Sequence, residues 1–275
     1  MSSAQELLLD QLDSSDCRRQ KHRKTQRTMN FVEPTAEEAA AVKELKALLA
    51  EQAISYPFTD VSVLRFLRGR NNIKEKALNG LVKHVEWREK YNVDKILTET
   101  ESFKSETEQK KVFGGGFDLK KRPIVNLIAR RHNKDKRNID ILQSYIIFTL
   151  ESAMKRVLAG DEKIVILFDL SQFSLTCMDY EALKMLVNII QYNYPEILSC
   201  ALIVNSPLIF SACWQIIKLW IDPITAAKCL FLKPSQLHEY IDVAEISFDI
   251  AGVIRPPSAG AISAVADSDS NIPNP

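Results

Sequence analysis

Glu196 and Lys228 stand where charge is costly. Glu196 follows Tyr194-Pro195 and leads into ILSCALIV, and Lys228 lies in TAAKCLFL, ahead of another apolar run. A carboxylate or ammonium in such surroundings costs several kcal/mol unless it is paired or bound to something. Two readings stay open at this point: a structural ion pair, or groups that hold a polar ligand. Other residues with chemical capacity give less. The four histidines (His22, His84, His132, His238) are scattered, with no HExxH or paired metal spacing. His132, in RRHNKDKRN, reads as a solvated turn residue. Gly114-Gly115-Gly116 lacks the Gly-Lys-Ser/Thr and the strand-before, helix-after context of a phosphate loop, and reads as a flexible turn ahead of the first strand. No G-x-S-x-G elbow offers a serine nucleophile. Asp169 ends KIVILFDL, a usual place for catalytic carboxylates in α/β proteins, but no second polar partner accompanies it. It reads as the cap of the turn at Ser171. The residues predict no catalysis, no metal and no cofactor.

Residues 208–221 are unusual in another way. Ser211, Gln215, Lys218 and Asp222 follow one another at spacings of four, three and four residues, which places them on one narrow helical stripe. Phe210, Trp214, Ile217, Trp220 and Ile221 belong to the apolar remainder of the circumference. A helix apolar nearly all round must bury both flanks or meet lipid. It is either a central core helix or a wall with core on one side and an apolar ligand or bilayer on the other. Trp214 and Trp220 suit the interfacial version, because indole prefers the headgroup boundary. The longer stretch Ile197–Ile217 is broken by Asn205-Ser206-Pro207, so it is not a membrane span, which needs about 20 unbroken apolar residues.

The elements that must position these residues follow from periodicity. Residues 1–30 read as a poorly ordered arm with a basic run from Arg18 to Arg27, and nothing in MSSAQELLLDQLDSSD resembles a secretory signal. Thr35 with Glu38 forms a capping-box pattern before a helix. VSVLRFLRG and a longer helix through Ala77, Leu81, Val85 and Trp87 complete an amphipathic helical region over 31–97. Residues 98–111 read as helix or linker. Beyond them PIVNLIA, KIVILFDL, ALIV and CLFL read as strands. They alternate with helices in 139–158, 178–194 and 206–220, and PSQLHEYI reads as a short last helix. Alternation of this kind predicts an α/β domain with a mostly parallel sheet over 98–250. Residues 251–275 read as a disordered tail.

Composition agrees. Hydrophobic residues make up 46% of the 275, enough for a substantial core, and 36 basic against 35 acidic residues exclude a chain built around a nucleic-acid field. The five cysteines are odd in number and form no CxxC pair, which suggests a reducing, intracellular setting.

VLRFLRGRNNIKEKALNGLVKHVEWREKY resembles the helical N-terminal region of the CRAL-TRIO lipid-binding and transfer family, with its LRFLRAR pattern and a helix ending in Trp-Arg. NYPEILSCALIVNSPLIFSACWQIIKLWIDPITAAKCLFL resembles the most diagnostic stretch of that family's lipid domain. Its features are Tyr-Pro-Glu, a strand, Asn-x-Pro, a helix, then Asp-Pro-x-Thr-x-x-Lys. FDLSQFSLTCMDYEALKMLVNIIQYNYPE resembles the family's fungal phosphatidylinositol-transfer members, and the likeness covers roughly residues 58–245.

This resemblance implies an apolar cavity floored by the sheet and closed by a mobile gate helix, which corresponds to the greasy segment. It implies a phosphatidylinositol headgroup held by Glu196, Thr225 and Lys228, with Arg70 as a further basic contact. Lys228 would offer a cation to phosphate, Thr225 a hydroxyl, and Glu196 an acceptor for inositol hydroxyls. The lysine that usually follows the arginine is Asn71 here, and the tyrosines of the family's choline pocket find no match in FDLKKRPIVNLIA. Ser174 remains as a contact to a second lipid. The implied protein works in the cytoplasm and attaches peripherally and transiently to membranes. Its partners would be a lipid kinase or a membrane-resident protein, and no nucleic acid. The resemblance also admits a lipid-sensing adaptor or tether without net transfer, and a carrier of a non-phospholipid hydrophobic ligand. Carriage has a simple physical reason. Two acyl chains crossing water expose about thirty methylenes at ~0.8 kcal/mol each, on the order of 20 kcal/mol in all.

Overall fold

The computed structural model describes residues 32–158 and 161–253. The predicted basic arm over 1–30 and nearly all of the predicted tail over 251–275 lie outside the described residues. Three helices open the described chain: α1 (Ala36–Glu51), α2 (Asp60–Arg68) and α3 (Lys74–Lys90). Thr35 and Glu38 close both halves of the predicted capping box at the start of α1. Thr59 caps α2 through the amide of Ser62. Val42, Leu45, Leu49, Val63, Leu67, Ala77 and Leu81 interlock as an apolar cluster of their own.

A short helix α4 (Lys104–Gln109) follows, then the sheet and its crossovers. These are β1 (Val112–Phe117), β2 (Pro123–Ile128), α5 (Ile139–Met154), β3 (Ile164–Asp169), α6 (Tyr180–Asn193) and β4 (Leu198–Val204). The chain continues through α7 (Leu208–Ile217), α8 (Pro223–Ala227) and β5 (Cys229–Leu232) to 3-10 turns at Pro234–Glu239 and Val243–Glu245. The strands lie side by side in chain order, β1 antiparallel to β2 and the remainder parallel.

Chain order across the sheet has a geometric result. Every crossover steps in the same direction, and right-handed crossovers that step one way land on one face. Ile166 and Phe168 point to that face, toward α5, α6 and α7. Val165 and Leu167 point to the other, where Leu237, Ile241, Ile246 and Ile250 of the C-terminal segment cover them. Alternation along a strand separates the two layers.

Two expectations need correction. The triple glycine is not a turn before the first strand; it is the middle of β1, paired to β2 through Phe113↔Asn126 and Gly114↔Val125. A Cβ at Gly115 would overlap the Asn126 amide, and one at Gly116 would overlap the Glu245 carboxylate. That carboxylate accepts from the Phe117 amide at 3.0 Å, satisfying an edge-strand donor. The glycines are there for close approach. The greasy helix is also shorter than its apolar run: α7 ends at Ile217, and Lys218 to Asp222 turn toward α8, so Trp220 and Ile221 sit in the turn.

Candidate functional site

An apolar cavity of about 190 Å³ lies between the sheet and its helices. Leu127, Ile166, Phe168 and Ile203 form its floor, and Ile146, Leu183, Leu186 and Ile190 of α5 and α6 its near wall. Phe210, Trp214 and Ile217 on α7, with Ile221 beyond it, close the far side. Four of the five predicted wall residues therefore face the cavity. The fifth, Trp220, packs edge-on against Tyr180 at 5.7 Å, and its carbonyl accepts from Gln191. The opposite face of α7 and the turn after it are bare: Leu208, Ile209 and Ile216 are exposed, and Leu219 is 82% exposed. Ser211, Gln215 and Lys218 share that exposed side.

The cavity has one polar corner. Lys111 and Glu106 form a buried ion pair at its lining, and His132 places Nε2 3.1 Å from Asp179 Oδ2. His132 is thus half-buried, not the solvated turn residue expected, and burial lowers its pKa. Burial alone would raise the Asp179 pKa. Hydrogen bonds from Arg137, the Ala182 amide and His132 outweigh it and hold that carboxyl at about 2. Asp179 serves as the α6 N-cap, so the corner is tied into the fold.

A second, polar cleft lies across α8. Tyr194-Pro195 ends α6, and Glu196 takes a left-handed turn, φ 60, before β4 begins. Lys228 caps the C-terminus of α8, and its carbonyl accepts from Ala201 of β4. The two charged groups meet at 3.7 Å, with Lys228 buried and Glu196 partly open. Arg65, Arg68, Glu38, Glu162, Glu33 and Lys163 line the same cleft. Arg65 reaches Glu162 at 2.7 Å, while its Nε is buried without a partner. Arg68 grips Glu38 at 2.8 Å and the Val32 carbonyl at 2.7 Å. The hydrogen bond from Arg68 pulls the Glu38 pKa below its usual value. Burial, then the neighbouring charge of Lys228, pushes Lys163 down to about 8.

The predicted headgroup residues are only partly assembled here. Glu196 and Lys228 are adjacent. Thr225 lines the apolar cavity on the other side of α8 and donates to Asp222 at 2.6 Å. Arg70 points elsewhere: it donates to the carbonyls of Gly69 and Gln191 and lies 5.8 Å over the Tyr192 ring, in a separate groove. Ser174 is exposed and bonds with Thr176 at 2.7 Å, outside the cavity lining that includes its neighbours Phe173 and Cys177. Asn71 and Asn72 both have positive φ, a conformation asparagine tolerates, which accounts for their presence after Arg70.

Arg65, Arg68 and Lys163 were missed by the sequence reading. Lys163 carried a usable signal, since it precedes the buried strand IVILFD as Lys228 precedes CLFL. Asp169 is accounted for without catalysis. It is fully buried and held by Arg130 at 2.6 Å, Asn205 at 2.8 Å and the Ser171 amide at 2.9 Å. No group of three or more metal-ligating side chains occurs among the described residues, and no helix among them is long and apolar enough to cross a membrane.

Comparison with known proteins gives a consistent picture. The family model described as CRAL/TRIO domain matches residues 107–252. The phosphatidylinositol transfer protein CSR1 of Eremothecium gossypii is 30% identical over 241 residues, 80% of this chain and 55% of that protein. A CRAL-TRIO domain-containing protein of Schizosaccharomyces pombe, C3H8.02, is 29% identical over 73% of this chain and 47% of its own length. The phosphatidylinositol transfer protein PDR17 of Saccharomyces cerevisiae is 26% identical over 64% of this chain and 53% of its own length. The chain thus spans about half the length of the curated relatives it matches. Among solved structures, the crystal structure of Sfh5 superposes with a TM-score of 0.62 over 75% of this chain and 84% of that one, at 16% identity.

Proposed function

Because this chain belongs to the CRAL/TRIO domain family, we propose that it binds a phospholipid, phosphatidylinositol foremost, and moves it between membranes without covalent chemistry. One observation carries this reading. An apolar cavity and a charged polar cleft holding Lys163 and Lys228 lie on the two sides of one five-residue helix, α8. Thr225 faces the first and Lys228 the second, so acyl chains and a phosphate could be served by one short element. Two similar proteins are named phosphatidylinositol transfer proteins, which supports the same ligand here.

The 190 Å³ cavity is below the roughly 300–1,000 Å³ usual for ligand sites, so two acyl chains need the wall to move. In this reading α7 is the gate. Its inner face meets lipid, and exposed Leu208, Ile209 and Ile216 on α7, with Leu219 beyond it, meet the membrane while it is open. Proline-bearing hinges flank it, at Pro207 and Pro223. The protein would act in the cytoplasm with transient peripheral attachment, and a lipid kinase could receive its cargo. The small cavity also favours a second reading, a slimmer non-phospholipid hydrophobic ligand. Mass spectrometry of lipid co-purified with the protein separates the two, and vesicle-to-vesicle transfer assays separate carriage from sensing. Recovery of phosphatidylinositol with no transfer would leave a lipid-sensing adaptor in place of a carrier.

A further inference from the structure

Four cations line the polar cleft, and three of them have a carboxylate each. Glu162 holds Arg65 at 2.7 Å, Glu38 holds Arg68 at 2.8 Å, and Glu196 lies 3.7 Å from Lys228. The fourth, Lys163, is only 7% exposed. Among the described residues no carboxylate lies within ion-pair distance of its ammonium. Asp161, two residues earlier, gives one carboxylate oxygen to Arg122 at 2.7 Å, and its other oxygen is buried without a hydrogen-bond partner and beyond ion-pair distance of Lys163. Glu33 is exposed at the rim, and it is its carbonyl that meets Arg68. A buried ammonium without a counter-ion is costly, and binding an anion relieves that cost.

We propose that Lys163 is the specificity-determining cation of this cleft: its buried ammonium, with no carboxylate at ion-pair distance, meets a phosphodiester and selects an anionic phospholipid over a zwitterionic one. The proposal rests on the phospholipid reading above. A zwitterionic headgroup brings its own ammonium, which would face Arg65, Arg68, Lys163 and Lys228 together. An inositol headgroup adds only hydroxyls, which Glu196 and Glu38 can accept from.

The selection should be titratable. Lys163 is depressed to about 8 in the unliganded protein, and bound phosphate would draw it upward again. Facing it are Arg65 and Arg68 from α2, Glu196 and Lys228 from the ends of β4 and α8, and Asp161, Glu162 and Arg122 from its own side.

The test uses the full chain, equilibrated with vesicles of equal phosphatidylinositol and phosphatidylcholine at about pH 6.5 and about pH 9.5, with loaded lipid measured by mass spectrometry. Wild type should lose about tenfold in its inositol-to-choline loading ratio at the higher pH, one charge-assisted contact. Lys163→Met, of matching length, should show the low ratio at both pH values. Lys163→Arg should keep the high ratio at both. Lys163→Met that folds and loads with the wild-type ratio overturns the proposal while leaving the phospholipid reading intact. Wild type that loads no phospholipid overturns that reading and the proposal with it.

Discussion

His84 Nδ1 lies 3.3 Å from Asn193 Oδ1, a buried polar contact that joins the N-terminal helices to the end of α6. The ring stands among Tyr56, Phe58, Phe66, Trp87 and Tyr194, all within 6.4 Å between centroids. Burial, then the nearby Arg88 charge, lowers its pKa to about 4, so the ring is neutral in the folded protein. The unfolded chain takes up its proton near pH 6.5 and the folded chain only near 4. Stability therefore falls as pH drops through that window and levels off below it. We expect a loss of about 3 kcal/mol between those limits, at 1.36 kcal/mol per pKa unit. Urea unfolding followed by Trp87 fluorescence checks this; His84→Phe should flatten the slope, and a slope unchanged in the variant would assign it to other groups.

Lys228→Ala should weaken phosphatidylinositol loading by about 10- to 100-fold, the worth of one charge-assisted phosphate contact. Arg70→Ala should leave loading within about twofold, because its guanidinium is occupied at Gly69 and Gln191 in another groove. The pair of variants separates the cleft from the family pattern. Equal losses in both would mean that the headgroup lies nearer Arg70 than the polar cleft allows.

Lys163 should cost stability in the empty protein. Its pKa is about 8 when folded against 10.5 unfolded, so the unfolded chain binds more protons between those values. The penalty is fully present below pH 8 and disappears as pH rises toward 10.5. Lys163→Met should thus raise unfolding stability by about 3 kcal/mol at neutral pH, with little gain at the alkaline end. Thermal melts of lipid-free protein at both ends of that range measure it. A variant less stable at neutral pH would show that the ammonium has a partner when folded.

Amides from Phe210 to Ile221 should exchange faster with solvent deuterium in empty protein than in lipid-loaded protein, and vesicles should change the pattern again. The expectation follows from an apolar face left bare along α7 and from the proposed role of that helix as the wall that moves to admit acyl chains. Deep and equal protection in all three states would make α7 a fixed core helix.

Periodicity carried much of this fold, because strands such as IVILFD and capping residues such as Thr35 announce themselves locally. Gly114–Gly116 failed for the opposite reason: its role is set by Asn126 and Glu245, the latter more than a hundred residues away. The site divided along the same line. Glu196 and Lys228 are visible as charges beside apolar runs, whereas Arg65 and Arg68 look like ordinary solvated residues until α2 packs against the turn at Glu162 and against Glu38 of α1. Arg70 rests on the family pattern alone, and its guanidinium is held by the Gly69 and Gln191 carbonyls in a separate groove.

The sheet whose strands follow chain order divides the molecule mechanically. All the crossover helices stand on one side, so in the gated reading proposed above a tilt of α7 would widen the cavity without breaking a hydrogen bond between strands. On that reading the floor is a fixed platform and the ceiling an adjustable one. The adjustable part of the cargo space is then set by side chains such as Leu183, Leu186, Phe210 and Trp214, each of which projects from a helix, over a floor of Leu127, Ile166, Phe168 and Ile203. A chain with this layout could be retuned to a bulkier or slimmer cargo by trimming the ceiling, with the platform left as it is.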